Sequence, residues 1–234
     1  GQVSEKIIFP GALISYAGFE TGVNLLKGNQ ARTADEKING SIEGIEYELA
    51  NAIYKMTNTD RKRIGFVTGH GELDSLEIAS LNSALLELYS VVKVDLSRKK
   101  TLELYDALII AKPTQPYSES DKYKLDQYIM NGGKILFLVD KLEATMDSVS
   151  QEGYFAFPYN INLDDQLFKY GIRLNLDLVQ DELAGKFPVI TGEVDGKPQL
   201  QLMDWPFFPL INRYADHSIT RNLDAVMTRF ISTV

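Results

Sequence analysis

The sequence predicts an α/β fold with a doubly wound, mostly parallel sheet, and three features of residues 61–140 carry that prediction. Short apolar runs at 64–68, 91–96, 107–111 and 134–139 alternate with stretches of helical period. These runs are apolar at consecutive positions, as in strands covered by helices on both faces. Helix boundary signals fall between them: Asp74 with Glu77, Ser118 with Asp121, and a stop at Asn131-Gly132-Gly133.

The elements follow in order. Residues 7–9 and 12–16 are strand-like runs broken at Pro10-Gly11, and the polar segment 27–37 reads as a loop. Ile42, Ile45, Leu49, Ala52, Ile53 and Met56 recur at helical spacing, so a helix over this stretch packs one side on a core. In the first helix of the alternating region, Ile78, Leu81, Leu85 and Leu88 form the apolar face. Residues 162–170 predict a short helix ending at Gly171. Strands at 189–194 and 199–203 flank Asp195-Gly196, a hairpin signal. Trp205-Pro206-Phe207-Phe208-Pro209 reads as irregular, because two prolines bracket its aromatic residues. The expected organisation is an N-terminal strand–loop–helix segment, 1–60, beside an α/β core, 61–234, that carries a C-terminal hairpin and the aromatic loop.

Composition excludes several function classes. Of 234 residues 44% are apolar and 24% charged, enough for a substantial core, and the net charge of −8 disfavours nucleic acid or an anionic membrane surface as partner. With no cysteine there is no disulfide, no thiolate metal site and no cysteine nucleophile; the lack of a stray thiol suits an oxidising compartment. No run approaches the roughly 18–20 apolar residues that span a bilayer, and no signal-peptide pattern opens the chain.

Ligands of open α/β sheets bind beyond the carboxyl ends of the strands, which places the candidate site at Thr68-Gly69-His70-Gly71-Glu72. The loop begins like a dinucleotide fingerprint, but Asp74 stands at the third glycine position. Glu72, Asp74 and Glu77 put carboxylates where a phosphate needs free N–H groups. His70 and Glu72 supply two metal ligands, while the other histidine, His217, lies far along the chain; a catalytic zinc wants three, so no metal and no cofactor is expected. His70, Glu72, Lys112 and Asp140 are the candidate ligand-binding residues, lining a polar crevice if the loop is open; a tight turn with His70 packed locally is the competing reading. Lys112 before a proline otherwise reads as solvated, and Asp140 as a cap. No G-x-S-x-G elbow and no G-x-x-x-x-G-K-[ST] loop occurs, and Asp164-Asp165 diverge on a helix, so no catalytic residue is assigned. Trp205, Phe207 and Phe208 are candidate partner-interface residues if exposed, and a buried plug if not.

Several blocks carry a family resemblance: Phe9-Pro10-Gly11-Ala12; Ser41-Ile42-Glu43 with the run 46–53; Gly69-His70-Gly71-Glu72; and Ile109-Ile110-Ala111-Lys112-Pro113. Further blocks are Asp126-Gln127-Tyr128-Ile129 continuing to Lys134, and Leu163-Asp164-Asp165-Gln166 continuing to Gly171. Over essentially the whole chain the sequence resembles the GldG-type gliding-motility-associated ABC-transporter auxiliary proteins. That resemblance implies a periplasmic domain of an inner-membrane protein, anchored by segments beyond these residues, with a permease and an ATP-binding subunit as partners and a link to gliding motility and protein secretion. It also implies a glutamine-amidotransferase-like core, without the cysteine on which amidotransfer depends. Ser218 stands where a close relative is expected to carry proline, which bears on one local turn. The expected function is a non-catalytic binding or assembly role in an ABC-type transporter. The alternative is a carbohydrate- or peptide-active enzyme, or a binder of a small ligand or peptide, that uses the crevice at His70 and Glu72.

Overall fold

A computed structural model describes residues 10–26, 34–58, 60–146, 156–194, 197–217, 219–220, 223 and 225–234. The strand expected at 7–9, the start of the polar loop, the Asp195-Gly196 turn and Ser218 lie outside the described residues. Contacts divide the chain into two units, Gly1–Arg63 with Ile78–Val91, and Ile64–Glu77 with Val92–Val234. Residues 78–91 thus group with the N-terminal segment by contacts.

In the first unit, β1 (Gly11–Tyr16) and β2 (Phe19–Asn24) form an antiparallel hairpin, followed by helix α1 (Ala34–Thr57). The apolar spacing of Ile42 to Met56 thus marks a real helix. Its apolar residues are not uniformly buried: Ala52 is in the core, while Ile42 and Ile53 are exposed. Helix α2 (Ala79–Leu86) starts later than Asp74 implies. The capping box forms, with the Asp74 N–H donating to Glu77 Oε2 and Asp74 Oδ1 accepting from the Leu76 and Glu77 N–H groups, but it closes a turn that precedes the helix. Of the expected apolar face, Ile78 is buried and Leu81 exposed.

The four apolar runs are strands: β3 (Arg63–Thr68), β4 (Ser90–Asp95), β5 (Ala107–Ala111) and β6 (Ile135–Leu138). They make one parallel sheet in the order β4-β3-β5-β6. From β3 the chain moves to one side for β4 and then crosses to the other for β5, so the direction of winding reverses between β3 and β5. That reversal defines a topological switch point, the place where sheets of this kind hold their ligands. In β5, Leu108 to Ala111 are all buried, as consecutive apolar positions require. The edge strand β6 departs from that pattern. Ile135 and Phe137 pack on the core, whereas Leu136 and Leu138 are exposed, the two-residue alternation of a strand covered on one face only.

Helix α3 (Glu119–Met130) is bounded as its sequence dictates. The Asp121 N–H donates to Ser118 Oγ at 3.1 Å, and Gly132 takes a φ of +88° past the last turn, a conformation cheap only for glycine. Leu125 and Tyr128 on its inner face join Val67, Val94, Leu96, Leu108 and Ile110 in the main core, together with Ile161, Leu163 and Leu167 around helix α4 (Asp164–Lys169). Between α3 and α4 lies a small antiparallel pair, β7 (Leu142–Glu143) with β8 (Phe157–Pro158).

The C-terminal hairpin is longer than predicted, β9 (Ala184–Val194) against β10 (Lys197–Ile211), with β11 (Val226–Met227) on the other side of β10. Here the sequence reading is corrected: Trp205 to Pro209 lie within β10. The prolines are accommodated because the register jumps from Asp204↔Lys186 to Pro209↔Ala184, an advance of five positions on one strand against two on the other. Pro206 falls within that bulge and Pro209 stands at its end, while their carbonyls remain paired: Pro206 O accepts from the Asp181 N–H and Pro209 O from the Thr228 N–H.

Candidate functional site

At the switch point the loop after β3 meets the segment after β5. Gly69 and Gly71 take φ of +116° and +70°, and these two glycines turn the chain so that the His70 carbonyl accepts from the N–H groups of Thr114 and Gln115. Thr114 Oγ1 donates to Gly71 O at 3.0 Å, and a Cβ on Gly71 would collide with that same oxygen. The Leu73 N–H donates to Ala111 O, which ties the far end of the loop to the end of β5. The turn is closed by backbone on both sides.

The side chains within it are buried and engaged. His70 is 7% exposed, and its ring lies on that of Tyr117, with centroids 3.7 Å apart and planes 7° from parallel. Glu72 Oε2 accepts from the His70 backbone N–H at 2.7 Å, and Glu72 Oε1 accepts from the Tyr117 hydroxyl at 2.8 Å. Each ring nitrogen faces a carboxylate: Nδ1 is 3.4 Å from Glu72 Oε1, and Nε2 is 3.4 Å from Asp121 Oδ2. The angle at Nδ1 does not make a directed hydrogen bond, so its contact with Glu72 is one of charge. Asp121 in turn accepts from Lys124 Nζ at 2.9 Å and from Ser118 Oγ at 2.8 Å.

The electrostatics follow from this arrangement. Burial pulls the His70 imidazole down, but the facing carboxylates of Glu72 and then of Asp121 outweigh it and hold His70 above its ordinary value. Burial would raise Glu72, yet hydrogen bonds from His70 and the Tyr117 hydroxyl keep it below the usual carboxylate range. Asp121 is likewise low: burial opposes ionisation, and Lys124 and Ser118 overcome it. Burial first, then the Glu72 charge, pushes the Tyr117 hydroxyl strongly up. A neutral imidazole has one N–H and would present its lone pair to one carboxylate. The arrangement therefore suits an imidazolium held between two carboxylates.

The crevice expected from His70, Glu72, Lys112 and Asp140 is not open at its first two members. Lys112, in a left-handed conformation with φ +51°, pairs with Asp140 at 3.2 Å; the two are ion-paired, where the sequence suggested a solvated lysine and a cap. Among the described residues no hydrogen bond or ion pair joins that pair to His70 or Glu72. Sequence reasoning missed Tyr117 and Asp121, which complete the cluster from 45 and 49 residues beyond Glu72. The Ser118–Asp121 capping signal did mark the right turn of chain. Among the described residues no group of three or more His, Asp or Glu side chains is placed to hold a metal, and no helix is long and apolar enough to cross a membrane.

The aromatic segment divides. Phe208 is 1% exposed, edge-on to Phe187 at 5.9 Å and to Phe230 at 5.4 Å, with the Arg229 guanidinium over its ring at 5.1 Å. Phe208 is thus an interior residue and not a partner contact, because the bulge turns it inward. Trp205 and Phe207 are half-buried.

Comparison with known proteins places this chain. Residues 61–234 match the family described as "ABC-type uncharacterized transport system". A protein of Borreliella burgdorferi, described as "Uncharacterized protein", is 26% identical over 148 residues, covering 61% of this chain and 28% of that protein. This chain therefore spans little more than a quarter of the length of the curated relative it matches. Among solved structures, the mmIFT52 N-terminal domain superposes with a TM-score of 0.52 at 17% identity, over 74% of this chain and 67% of that one, a likeness of fold.

Proposed function

The chain belongs to the auxiliary-protein family of ABC-type transport systems, and from that premise we propose that it is a non-catalytic binding and assembly domain of such a transporter. One observation carries this reading: the switch point, where an α/β sheet would hold substrate, is filled by the stacked His70 and Tyr117 rings, with Glu72 and Asp121 already engaged. Nucleophilic or general-base chemistry needs such groups open to a reactant. In this reading the parallel sheet is a scaffold, and the permease and ATP-binding subunits of the transporter are the partners. The domain works at the periplasmic face of the inner membrane, held there by segments beyond these residues. The link to gliding motility and secretion, and a doubly wound core of glutamine-amidotransferase type, are the finer parts of the proposal; they rest on the GldG-type sequence blocks.

Affinity capture of the full-length protein from native membranes tests it. Permease and ATP-binding subunits should co-purify in fixed ratio. A full-length protein that is stable in the membrane and free of both would overturn the reading.

A further inference from the structure

Helix α4 ends in a six-residue turn that builds a cleft. Gly171 takes φ +88°, the Ile172 N–H donates to Leu167 O, and the Gly171 N–H donates to Phe168 O, the paired bonds of a Schellman motif. That turn brings the following chain back beside the helix and encloses a cleft of about 390 Å3, walled by Leu167, Phe168, Ile172, Leu174 and Leu176. Leu167 is buried at its base, yet Phe168 is 68% exposed, Leu176 62% and Ile172 39%. Single exposed apolar residues need no explanation, but three converging on one concavity do.

The charges around this cleft are unevenly satisfied. Lys141 Nζ lies 2.7 Å from both Asp164 oxygens, and Asp165 is paired with Lys122 at 2.7 Å. Arg173, which also lines the cleft, makes no ion pair among the described residues. A molecule seated there meets apolar walls and one uncompensated guanidinium, a donor fork that matches a carboxylate. Asp164 and Asp165 on the same rim disfavour a second negative charge. Size narrows the choice further. A dry cavity of about 150 Å3 accepts benzene, so this cleft has room for a phenyl-sized body with a short chain.

We propose that the cleft between α4 and residues 172–176 binds an apolar monocarboxylate, its acyl or aryl body on Phe168, Ile172 and Leu176 and its carboxylate on Arg173. The acid is either a free small molecule or the C-terminal residue of a peptide. The site is separate from the His70 cluster and does not depend on docking to the transporter.

The test is a 15N–1H titration of this chain with 4-phenylbutyrate, 4-phenylbutyramide and acetyl-Gly-Phe. The two acids should shift amides of residues 167–176 saturably at millimolar concentration, and the tighter of them identifies the source. The neutral amide should bind about tenfold more weakly, and Arg173→Gln should bring the acids down to its level. Arg173 is exposed, so that variant folds; Leu176→Asp, also at an exposed position, should abolish binding of all three. Equal affinity for acid and amide, acid binding unchanged in Arg173→Gln, saturable shifts confined to other residues, or no saturable shift would each overturn the proposal.

Discussion

The Tyr117 hydroxyl donates to Glu72 Oε1 at 2.8 Å, joining the segment after β5 to the loop after β3 where the sheet reverses its winding. Tyr117→Phe keeps the stacked ring and removes only the donor, leaving a buried carboxylate oxygen short of a partner. The expected loss is about 1–3 kcal/mol in urea unfolding. In a double-mutant cycle with Glu72→Leu, which leaves no acceptor oxygen, the two changes should couple, since each removes the same bond. Additive effects would mean that the bond contributes nothing to holding the turn.

A pH dependence follows from the same cluster. His70 sits above its ordinary value near 6.5, so its contribution is complete below that pH and is lost as pH rises through the folded value. Glu72 and Asp121 sit below their ordinary values near 4.5 and 3.8, so theirs is complete above those pH values and is lost as pH falls through the folded ones. The cluster therefore stabilises most between about pH 4.5 and 6.5. Unfolding compared at pH 5.5 and 8.5 should show wild type weaker at the higher pH, and His70→Gln should narrow the difference. An unchanged difference in the variant would place the pH response elsewhere.

The strands and helices of the core were legible because burial on both faces writes itself as consecutive apolar residues, as at 107–111, and because caps such as Ser118 and Gly132 have local causes. The strand through Trp205 to Pro209 was not, since a bulge that absorbs two prolines depends on the register of a partner strand. At the site, the sequence located the loop and its His70-Gly71-Glu72 core. It did not reveal that Tyr117 and Asp121 close over them, because that contact is made by the fold across more than forty residues. Lys112 and Asp140 illustrate the same limit: both strand ends were readable, their pairing was not.

Lys141 provides a test of what its ion pair does. It is 5% exposed, and its ammonium rests on Asp164, which is itself largely solvated. Asp164→Asn strands a buried charge, and with solvent reaching the aspartate the expected cost is about 1–3 kcal/mol. Lys141→Met removes the charge together with the need for a partner, and should be neutral or mildly stabilising. Chemical denaturation of both variants decides; equal losses would show that the pair itself, and not the avoidance of an unpaired charge, holds α4.

Phe208 tests whether the aromatic segment is structural. The bulge in β10 turns it inward, where it is 1% exposed between Phe187 and Phe230 with Arg229 above its ring. Truncation to alanine removes the buried ring, leaves a cavity in a close-packed cluster and strips Arg229 of its cation–π partner. Phe208→Ala should therefore cost about 3–5 kcal/mol. Phe207 stacks on Phe230 at 6.3 Å from a half-buried position, so Phe207→Ala should cost clearly less. Because β9, β10 and β11 pair only with one another among the described residues, the loss should appear first as faster amide hydrogen exchange in these strands, ahead of the parallel sheet. If Phe208→Ala leaves both stability and exchange unchanged, the cluster around it is not the core of this sheet, and the inward bulge has some other cause.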